Sequence, residues 1–308
     1  MTATGTAAGV PAGKLLGAPD LARRHTADPL FRLVAYALES AHDRPPATVW
    51  SAPHAFRLGS PRLVAAAGWP VAAAAAPRED GMVRLSSLAH PAQSCELPLI
   101  GPPSPHPEWA ARSYALLRTL AGAGYGLGGI DLHIHSTLTA AAGLASAEPL
   151  ECAVALAVAE LHAGGTRPTP PRGRLAALAR AASPDGDEAL REAVLFARPG
   201  RAMLRENGRR RLIGFDPPAH AARLMLLVTR GEGTGAGDVR RAVSGARRAG
   251  ALAVWRPGRE AGRSVLVLLP QDRVTDVRTT VAEEFRRLGR PVPRFLNIAV
   301  AGAARREE

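Results

Sequence analysis

The sequence predicts a two-lobed α+β protein, and three observations carry that reading. The chain has 308 residues, long for one compact core and short for three, so two domains or one two-lobed domain is the expectation. Strand-like alternation and helix-like spacing mix along the chain without a strict strand–helix–strand order, which argues against a doubly wound sheet. A Pro/Gly-rich run from Gly164 to Gly173 offers a boundary. The expected organisation is a flexible N-terminal stretch over 1–22, an N-terminal lobe over 23–170 and a C-terminal lobe over 171–308.

The elements follow in order. Residues up to Ala22 are rich in Gly, Ala and Thr and are expected to fray. Pro29 to His42 carries Leu30, Leu33, Val34, Ala37 and Leu38 at helical spacing. Thr48 to Ser51 reads as a short strand stopped by Pro53, and Gly68 and Pro70 should break Val64 to Ala76 into buried strands. Met82 to Leu88 and Cys95 to Leu99 alternate like strands, and Trp109 to Ala123 is an amphipathic helix. Ile130, Leu132 and Ile134 alternate with Asp131, His133 and His135, as in a half-exposed strand. An apolar helix is expected from Pro149 to His162, since proline is tolerated in a first turn. Two further helices cover Arg174 to Ala182 and Asp187 to Ala197, and Arg201 to Phe215 reads as a hairpin turning on Asn207-Gly208. In the remainder, Leu224 to Thr229, Ser264 to Leu269 and Val292 to Val300 read as strands. Asp238 to Arg248 and Asp272 to Leu288 read as helices, the latter with early acids and late arginines that suit its dipole.

Composition bounds the function. The chain is 46% hydrophobic and 21% charged, which excludes a disordered, collagenous or disulfide-stapled protein. Two cysteines, Cys95 and Cys152, lack metal-site spacing and read as inert core thiols in a reducing interior. No charge-free apolar run reaches the ~18 residues a membrane helix needs, and the start has no secretory signal, so a cytoplasmic protein is expected. The net charge is +12, and 13 arginines against 5 acids from Arg205 to Arg263 hold about two thirds of the excess. Such a stretch attracts anions of any kind. Without stacking aromatics or a recognition motif, it reads as a solvated basic face, and a nucleic-acid partner is not expected.

Three stretches stand out together: Trp50-Ser51-Ala52-Pro53, Ser136 to Glu151 (STLTAAAGLASAEPLE), and Ser264 to Phe295. On these the chain resembles a galactokinase, of the GHMP small-molecule kinase superfamily, along nearly its whole length. The first stands where that family opens its sugar-binding motif, the second matches its phosphate loop without a gap, and the third resembles the stretch after its third motif. The resemblance implies a mixed N-terminal sheet with helices and a ferredoxin-like antiparallel C-terminal sheet with helices. It also implies ATP and Mg²⁺ as cofactors, but only if the chain still acts as a kinase.

The departures fall on the residues that do the family's chemistry. In the sugar motif Ala55 and Arg57 replace arginine and asparagine, His54 and Arg57 are what is left of the sugar pocket, and Arg44 to Arg78 holds no carboxylate between its ends. A pocket that selects hydroxyls needs buried acceptors, so sugar recognition of the usual kind is not expected. In the phosphate loop Gly143, Leu144 and Ser146 persist, while Ala141, Ala145 and Ala147 replace a glycine and two hydroxyls. Glu148 would repel a triphosphate there: either its side chain plugs the loop, or Glu148 and Pro149 simply begin a helix. The family's catalytic aspartate falls on Leu190 and the following glutamine on Arg191, and leucine cannot accept a proton. The third motif keeps Gly258 and Gly262 but gains Arg259, Glu260 and Arg263, and the sugar-contacting tyrosine falls on Val239.

Other constellations carry less. Asp131, His133 and His135 lie in a row on one strand rather than converging, and so do not make a metal site. Gly231 to Gly237 fits neither a Walker nor a dinucleotide pattern and reads as a flexible loop. The sequence therefore points to a galactokinase-like pseudokinase with no catalytic residue of the family's kind. Its partner would be a small molecule or a protein, in the role of sensor, regulator or accessory factor. The rival is a diverged kinase or a repurposed enzyme, with His54, Glu188 or Glu192 as the replacement base.

Overall fold

The computed structural model describes residues 21–60, 62–138, 144, 146–163, 169–206, 208–231, 235–257 and 262–308. Gly143, Ala141, Ala145, Asn207, Gly258, Arg259, Glu260 and the stretch 1–20 lie outside them. Helix α1 (Pro29–His42) starts on Asp28, whose carboxylate accepts from Leu30 N at 2.8 Å, with proline in the first turn. Strands β1 (Thr48–Arg57) and β2 (Leu63–Pro77) form a long antiparallel pair. Prolines 53 and 70 do not end these strands, as the sequence suggested. They oppose each other where the register shifts, between Pro53 and His54, so both missing N–H groups fall at a single break in the ladder.

Strands β3 (Met82–Ser87) and β4 (Cys95–Pro98), helix α2 (Ala111–Gly122) and strand β5 (Gly129–Ser136) follow. Next come α3 (Ala147–Ala163), α4 (Arg172–Ala182), α5 (Glu188–Phe196) and the hairpin β6 (Arg201–Glu206) and β7 (Arg209–Gly214). The C-terminal part contains β8 (Ala222–Val228), α6 (Ala236–Arg248), β9 (Ala253–Trp255), β10 (Ser264–Pro270), α7 (Val274–Arg287), β11 (Arg294–Ile298) and β12 (Arg305–Arg306).

Two sheets result. The larger is ordered β12-β1-β2-β5-β3-β4, with the β6–β7 hairpin attached to β2; the smaller is ordered β11-β8-β10-β9. The smaller sheet is antiparallel throughout, and its βαββαβ order is the ferredoxin-like arrangement. By sheet membership the β6–β7 hairpin and β12 belong to the larger sheet, and β8 to β11 form the smaller one. Helices α4 and α5 pack into the core of the larger sheet with α2 and α3, because their apolar stripes complete the burial of α3, which is apolar almost all round. Helix α1 covers the opposite face through Phe31, Val34 and Leu38 against Ala72, Ala74 and Ala76. A third cluster, including Phe56, Leu144, Leu226 and Leu266, joins the two lobes.

Covering by α1 corrects the reading of β5 as half-exposed. Asp131 and His133 are buried, on the face that α1 hides.

Candidate functional site

Four segments distant in sequence meet at the end of β1. Arg57 is the last residue of that strand. Its N–H donates to Pro257 O at 2.8 Å, and its carbonyl accepts from Trp255 Nε1 at 2.7 Å. The approach to the third motif is thus fastened to the sugar-motif strand. The Arg57 guanidinium pairs with the Asp187 carboxylate, both side chains being about nine-tenths buried. Asp187 is the N-cap of α5: its Oδ1 accepts from Ala189 N at 3.0 Å and from Leu190 N at 3.3 Å. An aspartate there satisfies donors that the first helical turn leaves without partners.

Glu148, in the first turn of α3, completes the junction. It is buried, and its Oε1 accepts from Asp187 N at 2.8 Å. The carboxylate therefore ties the start of α3 to the cap of α5. Glu148 thus stands at a helix start with this tie added, and most of the loop that the plug reading concerns lies outside the described residues.

One turn further along α3, Glu151 meets Arg191. Arg191 Nε donates to Glu151 Oε2 at 3.0 Å, Nη2 lies 2.9 Å from the same oxygen, and each side chain is 1% exposed. Arg112 approaches Glu151 Oε1 at 3.3 Å, and Ser183 O accepts from Arg191 Nη2 at 3.2 Å. Arg191 Nη1 is buried without a partner. Gly186 is demanded here, since a Cβ on it would stand 2.2 Å from Arg191 Nη2.

The remaining predicted residues divide into those the fold gathers here and those it sends elsewhere. His54 is fully buried, with Nε2 3.3 Å from Ser136 Oγ, and that hydroxyl donates to Leu138 O at 2.7 Å. Leu144 is buried in the cluster that joins the lobes, and the Ser146 carbonyl accepts from Leu150 N as α3 begins. Leu190 is buried in the main core. Val239 is buried in α6, inside the C-terminal core. Gly262 O accepts from Arg256 Nη1 at 2.6 Å.

Glu188 and Glu192 lie along a groove between α4 and α5 of about 160 Å³, which Arg180, Arg191 and Arg210 also line. Glu188 is 3.5 Å from Arg180 and 3.4 Å from Arg205; Glu192 is 3.2 Å from Arg205. Burial holds the Glu192 carboxyl above its ordinary value, against the neighbouring arginines. Burial likewise pushes the Cys152 thiol far up and the Cys95 thiol up, which makes both poor nucleophiles.

Sequence reasoning missed Asp187 as a partner of Arg57, and Glu151 as the acid under Arg191. Asp187 carries a local signal, an N-cap aspartate ahead of an apolar-periodic run. Nothing local announces its arginine, 130 residues earlier.

The row on β5 serves a different purpose. Ser86 Oγ bridges His42 Nε2 and His133 Nδ1 at 2.9 Å each, and Asp131 holds Arg78 Nη1 at 2.8 Å. Among the described residues no group of three or more His, Cys, Asp or Glu side chains is arranged to hold a metal ion. Nor is any helix among them long and apolar enough to cross a membrane.

No protein-family model matches the chain. Galactokinase of Streptomyces coelicolor (strain ATCC BAA-471 / A3(2) / M145) is 38% identical over 96 residues, a stretch that covers 31% of this chain and 25% of that enzyme. The chain's match thus spans a quarter of the length of that curated relative. Three solved structures share the fold. Lactococcus lactis galactokinase complexed with galactose superposes with a TM-score of 0.72 at 13% identity, over 90% of this chain and 99% of that one. A putative sugar kinase from Campylobacter jejuni gives 0.62 at 14% identity, over 84% and 98%. Methanococcus jannaschii mevalonate kinase gives 0.58 at 10% identity, over 82% and 98%.

Proposed function

Taking as premise that this chain has the fold of the GHMP kinases, we propose that it is a galactokinase-like protein that no longer phosphorylates a sugar with ATP. It acts instead by binding a small molecule or a protein partner, as a sensor, regulator or accessory factor. One observation supports this most strongly. At the junction of β1, α3 and α5 the Arg57 guanidinium is paired with the Asp187 carboxylate, and the Glu148 carboxylate accepts from the Asp187 backbone N–H.

A phosphoryl-transfer site needs a base within reach of the substrate hydroxyl and a cradle for the phosphates. The position of the family's base is Leu190, buried in the core. Asp187, which caps the same helix, has one oxygen on two helix N–H groups and the other on Arg57. The described residues beside the phosphate loop fit a nucleotide poorly. The Ser136 hydroxyl donates to Leu138 O, and Glu148 faces the α5 cap with a charge that opposes a triphosphate.

A second reading rests on the same pair. If Asp187 exchanges its Arg57 and helix N–H partners for a substrate hydroxyl, it is the replacement base and the protein is a diverged sugar-type kinase. The test is ADP release from Mg-ATP in the presence of a panel of hexoses, with sugar phosphate followed in parallel. The expected result is no sugar-dependent ADP. Sugar phosphate formed by the wild type and lost in Asp187→Asn would replace the first reading with the second.

A further inference from the structure

At the opposite end of the N-terminal lobe lies a cavity of about 280 Å³ that the motif junction does not use. It sits beside the last turns of α3, the start of β5 and the end of β2. At 1.5 Å per helical residue, Val158 in its wall is about 15 Å from Glu148.

Its walls are mostly apolar: Leu99, Leu117, Ile130, Val158 and Leu161. Two lining groups are ionisable. Arg78 is fully engaged, through Nη1 on Asp131 at 2.8 Å, Nε on Asp80 at 2.9 Å, and Nη2 on Asp80 and on Glu96 at 3.0 Å. Those three carboxylates outnumber Arg78 and Arg84, whose Nε also donates to Glu96 at 3.2 Å, and disfavour an anion. His162 stands edge-on to Tyr125 at 5.3 Å, and its Nε2 is buried with no hydrogen-bond partner.

The wall is tightly packed where it meets its neighbours. A Cβ on Gly129 would stand 2.3 Å from Met82 O, and one on Gly128 2.5 Å from Arg78 O, so only glycine fits at these two positions. At its edge Leu127 is 48% exposed, an apolar side chain offered to whatever enters.

We propose that this cavity is a second ligand site, for an uncharged, flat and largely apolar molecule carrying one hydrogen-bonding group for His162. A cavity of about 150 Å³ accommodates benzene, so this one suits a fused bicyclic ring. The site does not depend on how the motif junction is read.

The test titrates the full chain with 2-naphthol, naphthalene and 2-naphthalenesulfonate, using ligand-observed NMR and thermal shift. 2-Naphthol should bind and raise the melting temperature, and the sulfonate should bind at least about tenfold more weakly. Leu161→Trp, which fills the cavity, should weaken 2-naphthol by at least about tenfold. His162→Phe keeps a ring against Tyr125; it should weaken 2-naphthol about fivefold and leave naphthalene unchanged. The proposal is overturned if neither neutral probe binds the wild type, or if the sulfonate binds as well as 2-naphthol. Unchanged 2-naphthol affinity in a cooperatively melting Leu161→Trp, or in His162→Phe should Leu161→Trp not fold, overturns it equally.

Discussion

The two faces of the larger sheet bury polar groups by opposite means. On the face covered by α2 to α5, the buried groups are ions: Arg191 with Glu151, and Arg57 with Asp187. On the face covered by α1, the chain His42–Ser86–His133 is held by hydrogen bonds through one hydroxyl. Burial lowers both of these histidines, and it takes His133 to about 4, so they remain uncharged near neutral pH. The first face depends on its charged pairs, whereas the second, which also holds the Arg78–Asp131 pair, depends on its histidines staying uncharged. Charge deletion should therefore break the first, and acid the second.

The largest expected effect is on the first face. Arg191→Met leaves Glu151 buried with only Arg112, 40% exposed, beside it. Removing one member of a buried pair costs about 3–5 kcal/mol, which denaturant unfolding would measure directly. The double variant Glu151→Leu, Arg191→Met should recover most of that loss, because apolar replacements of a buried pair are often neutral. The Arg191 guanidinium already leaves Nη1 without a partner, which makes recovery easier. A double variant as unstable as the single would show that the pair itself holds α3 and α5 in place.

The second face should respond to pH with a definite sign. His133 has its folded value depressed to about 4 from an ordinary 6.5, so the unfolded chain binds the extra proton first. Its contribution is fully present above pH 6.5 and declines as pH falls from there to about 4, by up to about 3 kcal/mol. The groups around it reinforce this: His42 on α1 and His135 on β5 are also lowered by burial, while Asp131 and Arg78 hold each other. His133→Gln should flatten the slope of unfolding free energy against pH between 6.5 and 4. An unchanged slope would place the acid sensitivity elsewhere.

The contrast also explains how much was legible in advance. The alternation that made Gly129–Ser136 a strand was plain, and so was the two-lobed architecture with its ferredoxin-like second sheet. Which face of that strand meets water was not, because α1 lies about 90 residues earlier in the chain and nothing in Pro29–His42 marks where it docks. Prolines 53 and 70 read as strand stops because each alone lacks a ladder donor; only their pairing across the sheet removes the penalty. At the candidate site, matching motifs located His54, Arg57, Glu148 and Leu190 one segment at a time. The Arg57–Asp187 pair spans 130 residues, and it exists because β1 ends where α5 begins. That is a tertiary fact with no periodicity to announce it.

The smallest effect ties α1 to the histidines beneath it. Asp28 caps the helix through Leu30 N at 2.8 Å, and losing such a cap costs about 1 kcal/mol. Asp28→Ala should lower stability by that amount at neutral pH without altering the charged face. If α1 is what keeps His42 and His133 dry, local opening of the helix becomes more frequent as its cap weakens. Protonation of the open form then draws the equilibrium further, so the midpoint of acid unfolding should move to higher pH. Amide exchange in β5, followed at pH 7 and pH 5, separates the two contributions. A uniform loss at both values would mean that the cap stabilises α1 alone, whereas a loss that grows on acidification joins the helix to the histidine pair it covers.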